Sequence, residues 1–321
     1  MITLLIGKKG SGKTKKLIEL ANEAVQNSNG NVVVIEKGLK LTYDISHKAR
    51  LVDSDAYGIE GLDALVGFVS GICAANYAHA ELSIKAMEAG KHVLCEKPAV
   101  LNEEEAHAIA SVSRECGVPF MEAMKNRFCP MHARVKDLLA SGELGRIVSI
   151  ESVQKLDYGE SPSGYLLDPL QGGCLYDMGC YAVGWFEDLL AGACEVSSRE
   201  VRWRDVSGGR VDWADEIHMS VGGIPIHMVC DGKATYESRL TIACERGSLE
   251  IERLHRPELA HVKYSDGRVL EIDTPFEVDD FYGEASHATQ LIQTGKLESP
   301  IMSLAATQRC ARIIDAIRSK L

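Results

Sequence analysis

The sequence reads as an α/β N-terminal nucleotide-binding half, Rossmann-like but with an atypical P-loop start, followed by an α+β half with a mostly antiparallel sheet. Three observations carry this reading. An apolar run, a Gly-rich turn and an amphipathic segment open the chain in strand–turn–helix order. Short apolar runs and helical periodicities then alternate as far as residue 141. From Ile147 onward, β-rich runs crowd together between Gly, Asp and Ser, the pattern of an antiparallel sheet rather than of βαβ units.

Taken in order, Ile2–Ile6 predicts the first strand, and Leu17, Ile18, Leu20 and Ala21 give the next helix its apolar stripe. The turn formers Asn27-Ser28-Asn29-Gly30 end that helix. Asn31–Glu36, with Val32-Val33-Val34-Ile35 inside it, predicts a fully buried, parallel-type strand. Residues 37–58 show no sustained period, whereas Leu62, Leu65, Val66, Val69, Ile72 and Cys73 recur at helical spacing and predict helix over 60–75. Ala80–Ala89 predicts a helix stopped at Gly90. Strands His92–Cys95 and Pro119–Glu122 flank a helix at Glu103–Cys116, and helix returns over 130–141. Strands are expected at 147–156, 197–203, 215–221, 226–230, 236–244, 247–252 and 260–264. A helix at Tyr181–Leu190 interrupts them, and helices near 281–294 and 303–319 close the chain.

Composition narrows the function. Thirty-five basic against 46 acidic residues give a formal charge of −11, which argues against a nucleic-acid-binding surface. With 45% hydrophobic and 25% charged residues, the 321-residue chain is globular and long enough for two domains. No apolar run approaches the roughly 20 residues of a membrane span, and Met1-Ile2-Thr3-Leu4 lacks a basic leader start. The ten cysteines form no C-x-x-C pair and read as reduced thiols of a cytoplasmic protein. Cysteines and histidines show no metal-ligand spacing, and His218 and His227 read as strand packing residues.

Gly7-Lys8-Lys9-Gly10-Ser11-Gly12-Lys13-Thr14 fits G-x-x-x-x-G-K-[ST] between a strand and a helix. Such a turn wraps phosphate oxygens in backbone N–H groups at a helix N-terminus. Lys13 would reach terminal phosphates and Thr14 would hold Mg²⁺. Glu36, Asp53 or Asp55 could supply a metal carboxylate, and Glu36, ending its strand, could equally hold a ribose. The G-x-G-x-x-G dinucleotide turn is not completed, because Lys15 stands where its third glycine would fall.

From about Asn76 to the C-terminus the chain resembles the glucose-fructose oxidoreductase/inositol dehydrogenase (Gfo/Idh/MocA) family of NAD(P)-dependent enzymes. The resemblance rests on Asn76-Tyr77-Ala78-His79-Ala80-Glu81, Glu88-Ala89-Gly90-Lys91-His92-Val93, Glu96-Lys97-Pro98 and Arg127-Phe128-Cys129-Pro130. It continues through Gly145-Arg146-Ile147, Gly172-Gly173-Cys174-Leu175-Tyr176-Asp177-Met178-Gly179-Cys180-Tyr181 and Gly295-Lys296-Leu297-Glu298-Ser299-Pro300. Up to about Ala75 the chain looks instead like the start of a small bacterial P-loop ATPase-like protein. Ala74-Ala75-Asn76 replaces the family's Thr-Pro-Asn.

The resemblance implies that Lys97 stands beside the nicotinamide and the reacting hydroxyl, with Glu96 near the nicotinamide ribose and Asn76 and His79 near the cofactor. A lysine partly desolvated beside a cationic ring is expected to have a lowered pKa and to act as acid or base. Tyr181 looks like the proton donor or acceptor of the dihydrodiol and sugar dehydrogenase branch, where other members carry His. Asp177 would orient substrate hydroxyls, four residues before Tyr181 on one helical face. Arg127 reads as support for the domain junction.

The expected organisation is 1–75 as a P-loop-like first half of the nucleotide-binding domain and 76–125 as its Rossmann-like remainder. An α+β substrate and oligomerisation domain at 126–300 and a C-terminal helix at 301–321 complete it. The main functional expectation is hydride transfer between NAD or NADP and a sugar-like or cyclic polyol hydroxyl, in a homo-oligomer acting on a small molecule, with no nucleic-acid or membrane partner. Two alternatives stand beside it: an ATP-Mg-binding P-loop protein, and a composite chain with impaired cofactor binding or no activity.

Overall fold

The computed structural model describes residues 12–27, 32–36, 41, 44–46, 49–53, 75–160, 162 and 164–320. The chain divides into two compact units, Met1–Cys73 with Glu160–Gly164, and Ala74–Gly159 with Tyr165–Leu321.

In the first unit, helix α1 (Lys13–Asn27) accompanies strands β1 (Val33–Glu36) and β2 (Arg50–Asp53), which pair in parallel with Val34 opposite Leu51. Ala21, Val34, Leu41 and Ile45 form its small core. Asn22 clamps the turn between the strands, donating to Asp44 O at 3.0 Å and accepting from Ser46 N at 2.8 Å. α1 and β1 fall where apolar spacing predicts them. β2 was not foreseen, because four residues with charges at both ends carry no period. The expected strand Ile2–Ile6, the helix over 60–75, and Gly7 and Gly10 lie outside the described residues.

The second unit opens with helix α2 (His79–Glu88), strand β3 (Val93–Glu96), helix α3 (Glu103–Cys116) and strand β4 (Phe120–Ala123). β3 and β4 pair in parallel with Cys95 opposite Glu122. α3 starts where the Asn102 side chain accepts from Glu105 N and three glutamates face the positive helix end. It ends at Gly117 in the left-handed region (φ 63°).

Helix α4 (Pro130–Ala140) leads into an eight-stranded sheet made of β5 (Ile147–Lys155), β6 (Cys194–Val206), β7 (Gly209–Val221), β8 (Ile224–Asp231), β9 (Glu237–Cys244), β10 (Gly247–Glu252), β11 (Leu259–Tyr264) and β12 (Val269–Asp273). The order is β12-β11-β10-β9-β5-β8-β7-β6, antiparallel except for the β5–β8 pair. β12 and the full length of β6 escaped the sequence reading. Edge strands with one wet face, such as Val269–Asp273, lack the apolar alternation that marks an inner strand.

One face of this sheet is dry. Along β7, Val211, Trp213, Asp215, Ile217, Met219 and Val221 are buried in alternation. Against that face packs helix α5 (Cys180–Leu189), whose Trp185 and Phe186 are fully buried with Ile150, Met228 and Ile242. The other face carries His218 and His227, whose rings stack across the strands at 4.6 Å. These histidines pack on each other, but His218 is exposed rather than part of the core. Helices α6 (Tyr282–Gln293) and α7 (Leu304–Arg318) close the chain. Arg127 ties these parts together by donating to Gly184 O and Ile301 O and pairing with buried Glu187.

Candidate active site

β3 delivers Glu96 to its end, and the chain then turns at a cis Lys97–Pro98 bond. His79 Nδ1 lies 2.9 Å from Pro98 O, and Ala99 N donates to Glu122 Oε1 at 3.1 Å. Thr307 donates to the second Glu122 oxygen at 3.0 Å. Burial raises the Glu122 pKa, against the pull of these two donors. His79, read from sequence as a loop residue near the cofactor, is buried and holds the lysine turn from behind.

The Gly172–Tyr181 segment meets this turn. Leu175–Gly179 is a π-turn running into α5, so Asp177 and Tyr181 do not sit four residues apart on one α-helical face as the spacing suggests. Both nevertheless reach Lys97. Its ammonium donates to Asp177 O at 2.5 Å, stands 3.6 Å from Asp177 Oδ1, and lies 4.5 Å from the centre of the Tyr181 ring.

Two residues the sequence reading missed complete the group. Tyr158 donates to Asp177 Oδ2 at 2.7 Å and Tyr165 to Oδ1 at 3.1 Å. Asp177 is thereby the hub of the site, bonded to two phenols and facing one ammonium. Around Tyr181 lie the His255 ring, 5.9 Å away, and the Lys125 ammonium, at 5.8 Å and itself paired with Asp280 at 2.5 Å. The Tyr181 hydroxyl makes no hydrogen bond among the described residues.

Electrostatics sharpen this picture. Burial alone pulls the Lys97 pKa down, but Cys180, Tyr181, Asp177 and Tyr165 outweigh it, and the amine is held well above the ordinary lysine value. Among these protein groups alone the Lys97 pKa is raised; the lowering read from sequence belongs to a cationic ring beside it. Burial pushes the Tyr181 phenol up, with Lys97 opposing. Tyr158 and Tyr165 are pushed up by burial and by the Asp177 charge. At neutral pH the site holds a lysine cation and protonated phenols.

Of the other predicted residues, Asn76 donates to Gln171 O at 3.3 Å, just ahead of the Gly172 segment. Gly12, Lys13, Thr14 and Glu36 belong to the first unit. Gly12 has φ 79°, Lys13 and Thr14 open α1, and Glu36 closes β1.

This combination of parallel strands, lysine turn and antiparallel sheet has relatives. The description "Oxidoreductase family, NAD-binding Rossmann fold" matches residues 62–124, and "GFO/IDH/MocA C-terminal domain" matches residues 132–250. The chain is similar to the D-xylose 1-dehydrogenase (NADP(+)) 2 of Haloferax volcanii, 35% identical over 255 residues that span 78% of this chain and 67% of that protein. It is also similar to the scyllo-inositol 2-dehydrogenase (NADP(+)) IolU of Bacillus subtilis, 29% identical over 78% of this chain and 76% of that protein. Among solved structures, the aldose-aldose oxidoreductase from Caulobacter crescentus complexed with glycerol superposes with a TM-score of 0.68 at 19% identity, covering 97% of this chain and 94% of that chain. The chain belongs to the Gfo/Idh/MocA family. It is an NAD(P)-dependent oxidoreductase, with a Rossmann-like nucleotide-binding domain followed by a mostly antiparallel sheet domain. Among the described residues no helix is long and apolar enough to cross a membrane.

Proposed function

We propose that the chain interconverts a secondary hydroxyl and a carbonyl on a sugar-like or cyclic polyol, with Tyr181 and Lys97 moving the proton and Asp177 fixing their geometry. The observation that carries this reading is the Lys97 ammonium set against both Asp177 and the ring of Tyr181, whose hydroxyl is unclaimed by any described residue. The names of the two relatives, an inositol and a xylose dehydrogenase, support the substrate class.

The nicotinamide, when bound, supplies the hydride acceptor or donor. Glu96, at the end of β3 and close enough to act electrostatically on Tyr181, would face that ring's ribose, and Asn76 and His79 would stand near the cofactor. In the reductive direction Tyr181, protonated at neutral pH, donates its hydroxyl proton to the carbonyl oxygen, and Lys97 stabilises the phenolate left behind. In the oxidative direction the same oxygen takes the proton back from the substrate hydroxyl. Asp177, occupied by Tyr158, Tyr165 and Lys97, positions these groups and meets substrate through them.

In the first unit, Gly12, Lys13 and Thr14 at the start of α1, with Gly7 and Gly10 before them, would hold phosphates, and Glu36 a ribose. A second reading, ATP-Mg at this turn, is favoured only by Gly12 in its left-handed conformation followed directly by Lys13 opening a helix. We divide the chain at 1–75, 76–125, 126–300 and 301–321, and read it as a cytoplasmic homo-oligomer whose nine described cysteines are free thiols.

The test is a substrate panel. Purified protein with NAD⁺ or NADP⁺ is offered inositols, pentoses, hexoses and simple secondary alcohols, and nicotinamide reduction is followed by absorbance. Turnover of polyols or sugars with at least one cofactor is expected; turnover of simple alcohols only contradicts the substrate class.

A further inference from the structure

Behind the site lies an acid pair, Asp215 buried and Asp212 partly so, that the chemistry above does not use. β7 carries a bulge: Arg202 pairs with Ala214 and Trp203 with Asp212, leaving Trp213 as the extra residue. A bulge re-aims side chains, and here Asp212 and Asp215, three residues apart, converge on one group. The Cys174 thiol lies 3.4 Å from Asp212 Oδ2 and 3.5 Å from Asp215 Oδ2. Asp215 is almost wholly buried and accepts from Arg199 Nε at 2.6 Å, an ion pair closed off from solvent. Asp212 accepts the backbone N–H of Leu175 at 2.8 Å.

Leu175 is the first residue of the π-turn that presents Asp177. Two residues before it, Gly173 has φ 92°, and a Cβ there would stand 2.2 Å from Asp212 Oδ1. The segment therefore approaches the carboxyl so closely that only glycine fits.

We propose that Asp212, backed by Asp215 and Arg199, is a positioning residue. By holding the Leu175 amide it fixes the π-turn that sets Asp177 against Lys97. This rests on the Lys97–Asp177–Tyr181 reading of the site. One carboxylate oxygen each of Asp212 and Asp215 and the Cys174 sulfur lie within 4.8 Å of one another. Two carboxylates this close repel each other as anions, and burial with the neighbouring Asp215 charge pushes the Asp212 carboxyl up to about 7.

The test is a double-mutant cycle on kcat with Asp212→Ala, Asp212→Asn and Asp177→Asn, assayed below each variant's melting temperature. Asp212→Ala is expected to lower kcat about 10²-fold, the size of effect expected of a misplacement of about 1 Å, with cofactor affinity unchanged. Asp212→Asn keeps the oxygen for Leu175 N and is expected to restore most of the rate. In an Asp177→Asn background, Asp212→Ala should cost little more. Should Asp212→Ala not fold, Gly173→Ala, which displaces the same carboxyl, takes its place in the cycle. Wild-type kcat in Asp212→Ala, or a loss that adds fully to that of Asp177→Asn, overturns the role of Asp212 alone. Wild-type kcat in Asp177→Asn overturns the site reading, and this inference with it.

Discussion

Lys97 is a cation because of what surrounds it, and that charge governs Tyr181. The phenol is pushed up by burial and held down by the ammonium 4.5 Å from its ring centre, so the two groups titrate as a unit. Polyol oxidation needs the deprotonated unit and should therefore rise with pH toward an alkaline plateau. Lys97→Met removes the positive charge that favours phenolate, so any residual oxidation should reach its plateau at higher pH. An unmoved profile would show that Lys97 does not tune Tyr181. His255 offers a stability test. Burial, with Lys125 and Arg256 beside it, lowers its pKa to about 4, below the 6.5 of a free histidine. As pH falls through this window the unfolded chain takes up the proton first. The contribution of neutral His255 is thus full above about pH 6.5 and drains away toward pH 4. Denaturant unfolding across that range should show a shallower loss of stability in His255→Gln than in the wild type, and parallel curves would contradict the assignment. At this scale the sequence showed Lys97, Asp177 and Tyr181, because each lies in a contiguous motif. It hid Tyr158, Tyr165, Lys125 and His255, which reach the site from separate loops with no local pattern to mark them.

The elements that matter are turns rather than helices. The lysine turn is held by His79 and by Glu122 with Thr307 behind it, and the π-turn is held by Asp212. Gly172 lies between these devices, and a Cβ there would stand 2.5 Å from Leu166 O and 2.6 Å from Tyr165 O. Backbone cannot yield as a side-chain tip can. Gly172→Ala should therefore displace the turn that brings Tyr165 to Asp177, at a cost of about 1–3 kcal/mol in stability and with a drop in kcat. Urea melts read beside kcat check this; a variant with wild-type values in both would show that the turn is not tightly seated. Regular elements with one dry face, such as α3 and the second half of β7, were legible from periodicity. The π-turn was not, since one inserted residue leaves the sequence period looking like that of an ordinary helix. β2 and β12 were lost for the opposite reason: each is too short and too polar to show a period at all.

At the scale of the whole molecule, the sequence joins two halves of different appearance. The oxidoreductase half is borne out: the family models match residues 62–124 and 132–250, starting ahead of the expected Asn76, and they do not support the P-loop ATPase-like half expected up to Ala75. The front turn does not follow the dinucleotide consensus, because Lys15 stands where its third glycine would fall. The proposed proton transfer belongs to Lys97, Asp177 and Tyr181 in the second unit and is separable from cofactor affinity. Its most direct measurement is single-turnover hydride transfer at saturating NADP⁺ in wild type, Lys97→Met and Tyr181→Phe, with cofactor binding followed in parallel by thermal shift. We expect both variants to keep the melting-temperature rise on binding cofactor and to lose about 10²–10⁴-fold in the transfer rate, the usual share of a general acid–base group. Wild-type transfer rates in both variants, with cofactor still bound, would contradict the account.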